Sequence, residues 1–386
     1  MMTKWDEMPR KCDERVENFS WHDGEWLRQR TSCRAPRALS PLNVYELDPD
    51  TWMRDAGGSP LSYHELADEL APYVKQMGYT HVLLTASAKH TRGDLRELVD
   101  ILHTAGVGVL VEGASDRDAA AYHLDGALYR GLSDVLILHG GDGDVSYPRS
   151  GDGMALALAC IQCDLYDGSR RRRLLVDALR SADPCAVLAV SRRDVSEGNR
   201  SLLSKMHGDY WQKFAGVRLF AAWMMTCPGV KQCFMGTEIG QFDEWSTDTP
   251  VQWFLLDYDY HAKLQHYFAA LGSLYLSSPA LWDGEATVME DSADDGVLVF
   301  VRPSDKGNLV VILNLTPRAM EGRAVRVPTD GAYREVFNSD ASEFGGSHVV
   351  NPHTLRTEDR DGYPTLSLRI PPLGCAVLCR EDCRAD

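Results

Sequence analysis

The sequence predicts an α/β protein whose parallel strands are wound or closed into a barrel, followed by a separate antiparallel β-sandwich. Three observations carry this. Short runs of β-branched and small apolar residues alternate with segments of helical apolar spacing as far as about Asp283. Strand, helix, strand in that rhythm is the pattern of parallel strands joined by helical crossovers. Beyond Asp283 the helical spacing stops, and short alternating strands punctuated by Gly, Pro and Asn take over.

Taken in order, residues 1–40 are a polar, aromatic lead-in, with SWHDGEWLRQR (Ser20 to Arg30) as its most distinctive piece. A strand-like alternation around Val44 and Tyr45 follows and ends in turn residues. Ser62, with Glu65 three residues on, reads as a capping box. Leu66, Leu70, Tyr73, Val74 and Met77 then repeat at helical spacing until Gly78 ends the helix. His81 to Thr85 reads as a buried strand, Asp94 to Leu102 as a helix, and Val107 to Val111 as the next strand. DVLIL (Asp134 to Leu138) is another strand. Helices near Met154–Leu165 and Arg172–Arg180 lead to the strand Ala186–Val190. Trp211 to Met225 is helical, and KQCFMG forms the strand after it. From Ala286 the segments GVLVFVR, NLVVILNL, YREVFN, TLSLRI and GCAVLC read as the strands of the sandwich. The expected domains are 41–283 for the α/β part and 284–386 for the all-β part.

Forty basic residues against 56 acidic ones give a formal charge of −16, which argues against nucleic acid and anionic membranes as partners. No run approaches the roughly 18 apolar residues of a membrane span. The opening MMTKWDEMPRKCDERVENF has no apolar core of a secretory signal, so the cytoplasm is the expected compartment. Ten cysteines invite a metal or disulfide reading. Cys160 and Cys163 have no partner pair at zinc-site spacing, and Cys375, Cys379 and Cys383 have no histidines near them. Reduced thiols are expected, with neither metal nor other cofactor.

Several of these segments together resemble the bacterial glycogen (1,4-α-glucan) branching enzymes of the α-amylase superfamily. SWHDGEWLRQR, PLNVYELDPDTWMR and PLSYHELADELAPYVKQMGYTHVLL resemble the family's approach to its barrel, first strand and first helix. GDYWQKFAGVRLFAAWMMTCPGVKQCFMGTEIGQFDEW resembles its last helix, strand and loop, and DDGVLVFVR through LSLRIPPLGCAVL its C-terminal sandwich. The resemblance implies an eight-stranded TIM-type (β/α) barrel. It also implies a retaining transfer that uses a carboxylate nucleophile after the fourth strand, a carboxylic acid after the fifth and a third carboxylate on the seventh.

The chain departs from that pattern where the chemistry should sit. The family's seventh-strand S-H-D-E stands here as Ser191-Arg192-Arg193-Asp194. The third strand ends in Val111-Glu112-Gly113, with no histidine before His123. The fourth-strand segment has no counterpart, the second strand is expected to be missing, and His139-Gly140-Gly141 replaces the acid after the fifth. Five barrel strands are recognisable, at 81–85, 107–111, 135–138, 186–190 and 232–235, so a reduced or incomplete barrel is expected. No catalytic residue carries over; Arg192, Arg193 and Glu112 mark degenerate positions. A cation in place of a carboxylate would repel an oxocarbenium-like centre.

Met235-Gly236-Thr237-Glu238-Ile239-Gly240-Gln241 and Glu244-Trp245 keep most of the family's eighth-strand loop. Glu238, Gln241, Trp245 and Asp194 are therefore the substrate-binding candidates. Arg192 and Arg193 either pair with Asp194, Glu197 or a loop aspartate, or hold a phosphate. The leading expectation is a catalytically silent homologue that binds α-glucan (glycogen or maltooligosaccharide) or another protein. The alternative is an active carbohydrate enzyme using re-purposed carboxylates such as Glu112 and Asp194, with Asp116, Asp142 and Asp144 as further loop acids. A barrel short of strands leaves edges unpaired, so either the remaining strands close differently or the sheet stays open and is covered by helices, a second copy or a protein partner.

Overall fold

The computed structural model describes residues 19–32, 41–85, 87, 89–91, 93–130, 134–139, 144–282, 284–289, 295–305 and 307–381. The alternation of the sequence becomes α1 (Gly24–Ser32), β1 (Asn43–Leu47), α2 (Tyr63–Gln76), β2 (His81–Leu84), α3 (Leu95–Thr104) and β3 (Gly108–Glu112). A short α4 (Asp116–Ala121) leads to three strands in succession, β4 (Gly126–Tyr129), β5 (Val135–Leu138) and β6 (Val145–Pro148). Then come α5 (Gly151–Ile161), α6 (Gly168–Arg180), β7 (Val187–Val190), α7 (Leu202–Lys205), α8 (Tyr210–Thr226) and β8 (Val230–Phe234). Helices α9 (Asp259–Ser277) and α10 (Pro279–Trp282) close this part. The capping box read at Ser62 and Glu65 is present at the start of α2.

These strands form one eight-stranded sheet in the order β6-β5-β4-β3-β2-β1-β8-β7. Strands β1 to β4, β7 and β8 run parallel, while β4, β5 and β6 form an antiparallel meander. The two ends of the sheet meet: Arg149 bridges Val187 in parallel, and the Ser150 amide donates to the Val187 carbonyl at 2.9 Å. The barrel is therefore nearly closed within one chain. The edges that suggested a covering partner adjoin each other instead.

The barrel-plus-sandwich architecture stands, and the strand count rises from five to eight. The stretch around Val44 and Tyr45 is β1, whose apolar run is interrupted by Glu46. His81–Leu84 lies between β1 and β3 and so fills the place of the second strand, whose absence was expected. The other two additions carry weak signals. GALY of β4 begins with a glycine, required because a Cβ at Gly126 would sit 1.9 Å from the Ile137 carbonyl oxygen across the hairpin. VSYP of β6 ends in a proline, which ordinarily demotes a strand.

Side chains alternate along each strand, so one set fills the barrel and the other faces the helices. Leu42, Val44, Leu83, Leu110, Leu128, Leu136, Val187, Ala189 and Val230 pack together inside. Tyr45, Leu47, Val82, Leu84, Val109 and Val111 pack outward against α2, α3, α8 and α9. Lys231 falls on the outward set and is fully buried. Its ammonium donates to the Cys227 carbonyl and lies 5.7 Å from the Tyr275 ring centre. Burial pushes its pKa down to about 7. The folded form then holds fewer protons than the unfolded chain between about pH 7 and 10, so this group makes stability rise with pH across that window. Lys231→Met is expected to flatten that rise while remaining at least as stable at pH 7. Thermal melts of both proteins at the two ends of the window check this, and an unchanged slope in the variant contradicts it.

The C-terminal part consists of β9 (Thr287–Val288), β10 (Val297–Arg302), β11 (Leu309–Asn314), β12 (Met320–Arg326) and β13 (Ala332–Asn338), followed by β14 (Leu355–Arg356), β15 (Glu358–Arg360), β16 (Tyr363–Ile370) and β17 (Gly374–Arg380). They make a six-stranded sheet, β14-β13-β17-β11-β10-β9, and a three-stranded one, β12-β16-β15, all antiparallel. Val297, Val299, Val301, Val310 and Ile312 face the sandwich interior with Val325, Leu366 and Leu368. Leu298, Phe300, Val311, Leu313 and Val377 face the barrel helices instead, which is why β10 and β11 are buried at every position. Buried arginines stitch this junction to main-chain oxygens: Arg171 to Leu315, Arg218 to Ser339 at 2.9 Å, and Arg302 to Ala280 at 2.8 Å and Leu281 at 3.1 Å.

Candidate functional site

The inward-facing positions one step beyond the apolar filling, toward the C-terminal ends of the parallel strands, carry charge. Val44 is followed by Glu46, Leu110 by Glu112 and Leu128 by Arg130, while Asp134, Arg149 and Asp194 arrive from the ends of β5, β6 and β7. In an α/β barrel this end is where active sites are built.

Arg130 is the hub. Its Nη2 lies 2.5 Å from Glu46 Oε1, its Nε 2.8 Å from Glu112 Oε1 and its Nη1 3.5 Å from Asp134 Oδ2. Burial works against its charge, but Glu46, Glu112 and Asp134 more than offset it and hold the guanidinium more firmly protonated than usual. Glu46 is completely buried; its other oxygen accepts from Gln232 Nε2 at 2.8 Å and from the Arg192 amide at 3.3 Å. Arg149 reaches Asp194 at 2.5 Å and Asp134 at 3.8 Å.

The Ser-Arg-Arg-Asp stretch folds as a capped 3-10 turn over Arg192–Val195. Asp194 Oδ2 accepts from both the amide and the hydroxyl of Ser191 at 2.8 Å, so it caps its own turn and pairs with Arg149 rather than with either neighbouring arginine. Arg192 instead sits 3.7 Å from Glu112 and 5.5 Å over the Trp245 ring. Arg193 reaches Asp134 at 3.4 Å with its side chain half exposed. Of the pairings open in the sequence, the loop-aspartate one is realised for Arg193. Glu112, on another strand, takes Arg192. Glu112 Oε2 and Arg192 Nη1 are buried without hydrogen-bond partners.

The structure thus brings Arg192, Arg193, Glu112, Asp194 and Trp245 to one mouth. Trp245 also donates its indole N–H to Thr51 Oγ1 at 3.0 Å and meets Phe234 edge-on. Gln241 borders it on the same loop, donating to the Asp243 carbonyl and accepting from the Gln252 amide. Glu238 lies elsewhere, fully buried among the outward side chains of β1 and α2. One of its oxygens accepts 2.7 Å hydrogen bonds from both Tyr45 and Tyr73, and burial raises its carboxyl pKa. Asp116 and Asp144 do not join Glu112 and Asp194; they meet His139, and Asp142 lies outside the described residues.

Two polar clusters had no signal in the linear sequence. Near the mouth, Ser87 donates to Asp50 at 2.7 Å and lies 2.8 Å from His90 Nδ1, while His90 Nε2 faces the Leu61 carbonyl at 2.7 Å. The residue types are those of a hydrolase triad, but the Ser87 hydroxyl is buried and bonded to the carboxylate, and both imidazole nitrogens are occupied. At the opposite end of the barrel, His103 lies between Asp23 (3.0 Å) and Asp125 (2.8 Å), and His123 also reaches Asp23 at 2.9 Å. Asp125 further accepts from the Val109 amide, Trp26 Nε1 and Arg30 Nη1. Trp21 stacks on His123 at 3.8 Å. This cluster locks the lead-in helix α1 beneath the barrel, and its members come from separate segments of the chain.

A near-closed barrel, helices outside it and an appended all-β domain make up an α-amylase-like fold. Residues 288–381 match the family model of the α-amylase C-terminal all-beta domain. The fold is shared with an α-amylase from H. orenii (TM-score 0.54, 12% identity, 90% of this chain and 100% of that one). It is also shared with a pullulanase solved in complex with maltotetraose (TM-score 0.62, 12% identity, 91% and 72%). The sequence takes the assignment one step further. The 1,4-alpha-glucan branching enzymes GlgB of Desulfitobacterium hafniense and Methylobacillus flagellatus are each 29% identical to it, covering 95% and 94% of this chain and 79% and 69% of their own. This chain is a relative of the 1,4-α-glucan branching enzymes. Among the described residues no helix is long and apolar enough to cross a membrane.

Proposed function

We propose that the chain is a branching-enzyme homologue without transfer chemistry that holds α-glucan at the rim of its barrel. The observation that carries this reading is the Arg–carboxylate cage. Glu46, Glu112, Asp134 and Asp194 are each in an ion pair with Arg130, Arg149, Arg192 or Arg193. A nucleophilic carboxylate needs an open face toward the sugar, and a general acid must hold a proton near neutral pH. Carboxylates neutralised by arginine favour neither role. The separate pairing of Glu112 with Arg130 and Arg192, and of Asp194 with Arg149, weighs against the alternative in which those two acids run a re-purposed hydrolysis.

Sugar binding asks for aromatic faces rather than charge, and the rim offers them. Tyr210, Phe242, Phe254 and Tyr258 are 45%, 39%, 59% and 58% exposed, unusual for rings of this size. Tyr210 lies 6.3 Å from Phe242, and Phe242 and Tyr258 both pack on His261. They stand where α8 and α9 begin and on the loop after β8, the same side of the barrel as Trp245. An acidic protein presenting such rings suits a neutral polyhydroxylated chain, and the cysteines described, all unpaired, suit a reducing cytoplasm.

The purified protein is expected to leave the iodine absorbance of amylose unchanged while its migration is retarded in a native gel containing glycogen. Phe242→Ala with Tyr258→Ala should at least halve that retardation. A falling iodine absorbance, or migration indifferent to glycogen, overturns the reading.

A further inference from the structure

The exposed rings of the rim do not stop at Tyr210. Trp211, the next residue of α8, packs against Leu165, Ala215 and Leu373 of the sandwich, and Tyr166 follows Leu165 in the turn between α5 and α6. His207 ties that turn to the segment before α8, its Nε2 lying 3.0 Å from the Gln162 carbonyl. Tyr166 therefore stands at the same end of the barrel as Tyr210. It is 70% exposed, the most of any large ring described. The turn beneath it is fixed: the Tyr166 amide donates to Asp164 Oδ1 at 2.7 Å, and Asp167 caps α6 by accepting from the Arg170 amide at 3.1 Å. A ring held out on a rigid turn loses little freedom when a ligand covers it.

Beside Tyr166 opens a groove of about 390 Å3, walled by Ser169, Asp295 and residues 316–320 of the β11–β12 connection. That volume lies within the range of small-molecule clefts. Its two sides are locked together. A Cβ added at Gly168 would lie 2.6 Å from Thr316 Cγ2, and Arg172 Nε donates to the Val297 carbonyl at 2.7 Å. The walls are mixed in character: Pro317, Ala319 and Met320 are apolar, while Asp295 and Arg318 bring an acceptor and a donor. Asp295 is oriented by the Val297 amide at 3.2 Å and Arg323 Nε at 2.7 Å, and its carboxylate keeps lone pairs to spare. The Arg318 side chain is exposed, with no partner among the described residues.

We propose that this groove is a second α-glucan contact, in which Tyr166 stacks on a sugar face while Arg318 donates to its hydroxyls and Asp295 accepts from them. An aromatic face beside a donor and an acceptor matches a ring that is apolar on its faces and polar around its edge. Asp164, Asp167 and Asp295 surround the site with negative charge, which disfavours an anionic ligand. The choice of ligand rests on the glucan binding proposed at the rim: a chain lying on Tyr210 continues past Trp211 to Tyr166. Once the rim holds such a chain, the groove meets it at high effective concentration, so the two contacts multiply rather than add.

The test runs the full-length protein and its variants in native gels over a range of glycogen concentrations, each mobility taken relative to a glycogen-free gel. Tyr166→Ala should raise the glycogen concentration for half-maximal retardation by at least about tenfold, while melting like wild type. Tyr166→Phe, which keeps the ring, should stay within about twofold of wild type, and Arg318→Ala should shift in the same direction as Tyr166→Ala. If wild type is retarded and Tyr166→Ala matches it, the groove is not a glucan site and the rim reading survives. If Phe242→Ala with Tyr258→Ala changes nothing while Tyr166→Ala weakens retardation, the groove stands and the rim reading falls. A wild type indifferent to glycogen overturns both.

Discussion

Replacing Arg130 with methionine is expected to destabilise the protein by about 3–5 kcal/mol, because it strands buried carboxylates rather than removing a pair. Glu46 is the most affected, with no exposure to water and its strongest partner gone. Arg130→Lys should recover only part of the loss, since Arg130 meets Glu46, Glu112 and Asp134 through three different nitrogens and lysine offers one. The sign of the pH dependence follows. Carboxylates left unpaired in the folded variant take up protons more readily than in the unfolded chain, so the deficit should shrink as pH falls. Urea unfolding followed by circular dichroism at pH 7 and 5 measures both effects. A loss below about 1 kcal/mol, within the range of exposed pairs, would mean that the cage is solvated and contributes little.

Asp125→Asn should cost about 3 kcal/mol at pH 7, as a buried acceptor of four hydrogen bonds loses its charge and turns a donor toward donors. Burial alone would push the Asp125 carboxyl up, but the hydrogen bond and charge of His103, helped by His81 and Arg30, hold it well below the usual carboxylate range. A folded pKa below the unfolded one contributes stability above about pH 4 that is lost as pH falls further. The wild type and the variant should therefore converge on acidification, as melts at pH 7 and 3 would record. A difference that persists or grows at pH 3 would assign the effect to packing instead.

How much of this was legible in the sequence depended on how each element signals itself. The capped helix at Ser62 and the strand Ala186–Val190 are local patterns, and they appear as read. The sandwich strands with continuous apolar runs were legible for the same reason. Strands β4 and β6 were not, because Gly126 answers a contact with Ile137 that only the folded hairpin creates, and Pro148 contradicts strand propensity. At the mouth, sequence placed Arg192 and Arg193 at the end of β7 correctly but could not choose their partners. Glu46, Arg130 and Arg149 went unnoticed because their importance comes only from convergence. Glu46 lies in β1, while Arg130 and Arg149 directly follow β4 and β6, and only the winding of the barrel brings these distant positions to one mouth. Glu238 shows the reverse: a motif position suggests the cleft, while the chain turns its side chain toward Tyr45 and Tyr73.

The junction between barrel and sandwich has an asymmetry of its own. Arg171, Arg218 and Arg302 grip carbonyl oxygens of Leu315, Ser339, Ala280 and Leu281, and a carbonyl is the same whatever side chain its residue carries. The acceptor positions are thus free to drift in identity without loosening the junction, so long as the backbone path holds. The arginines have no such latitude, since no other side chain supplies a charged fork of that length. Divergence along this border is permitted on one side and forbidden on the other.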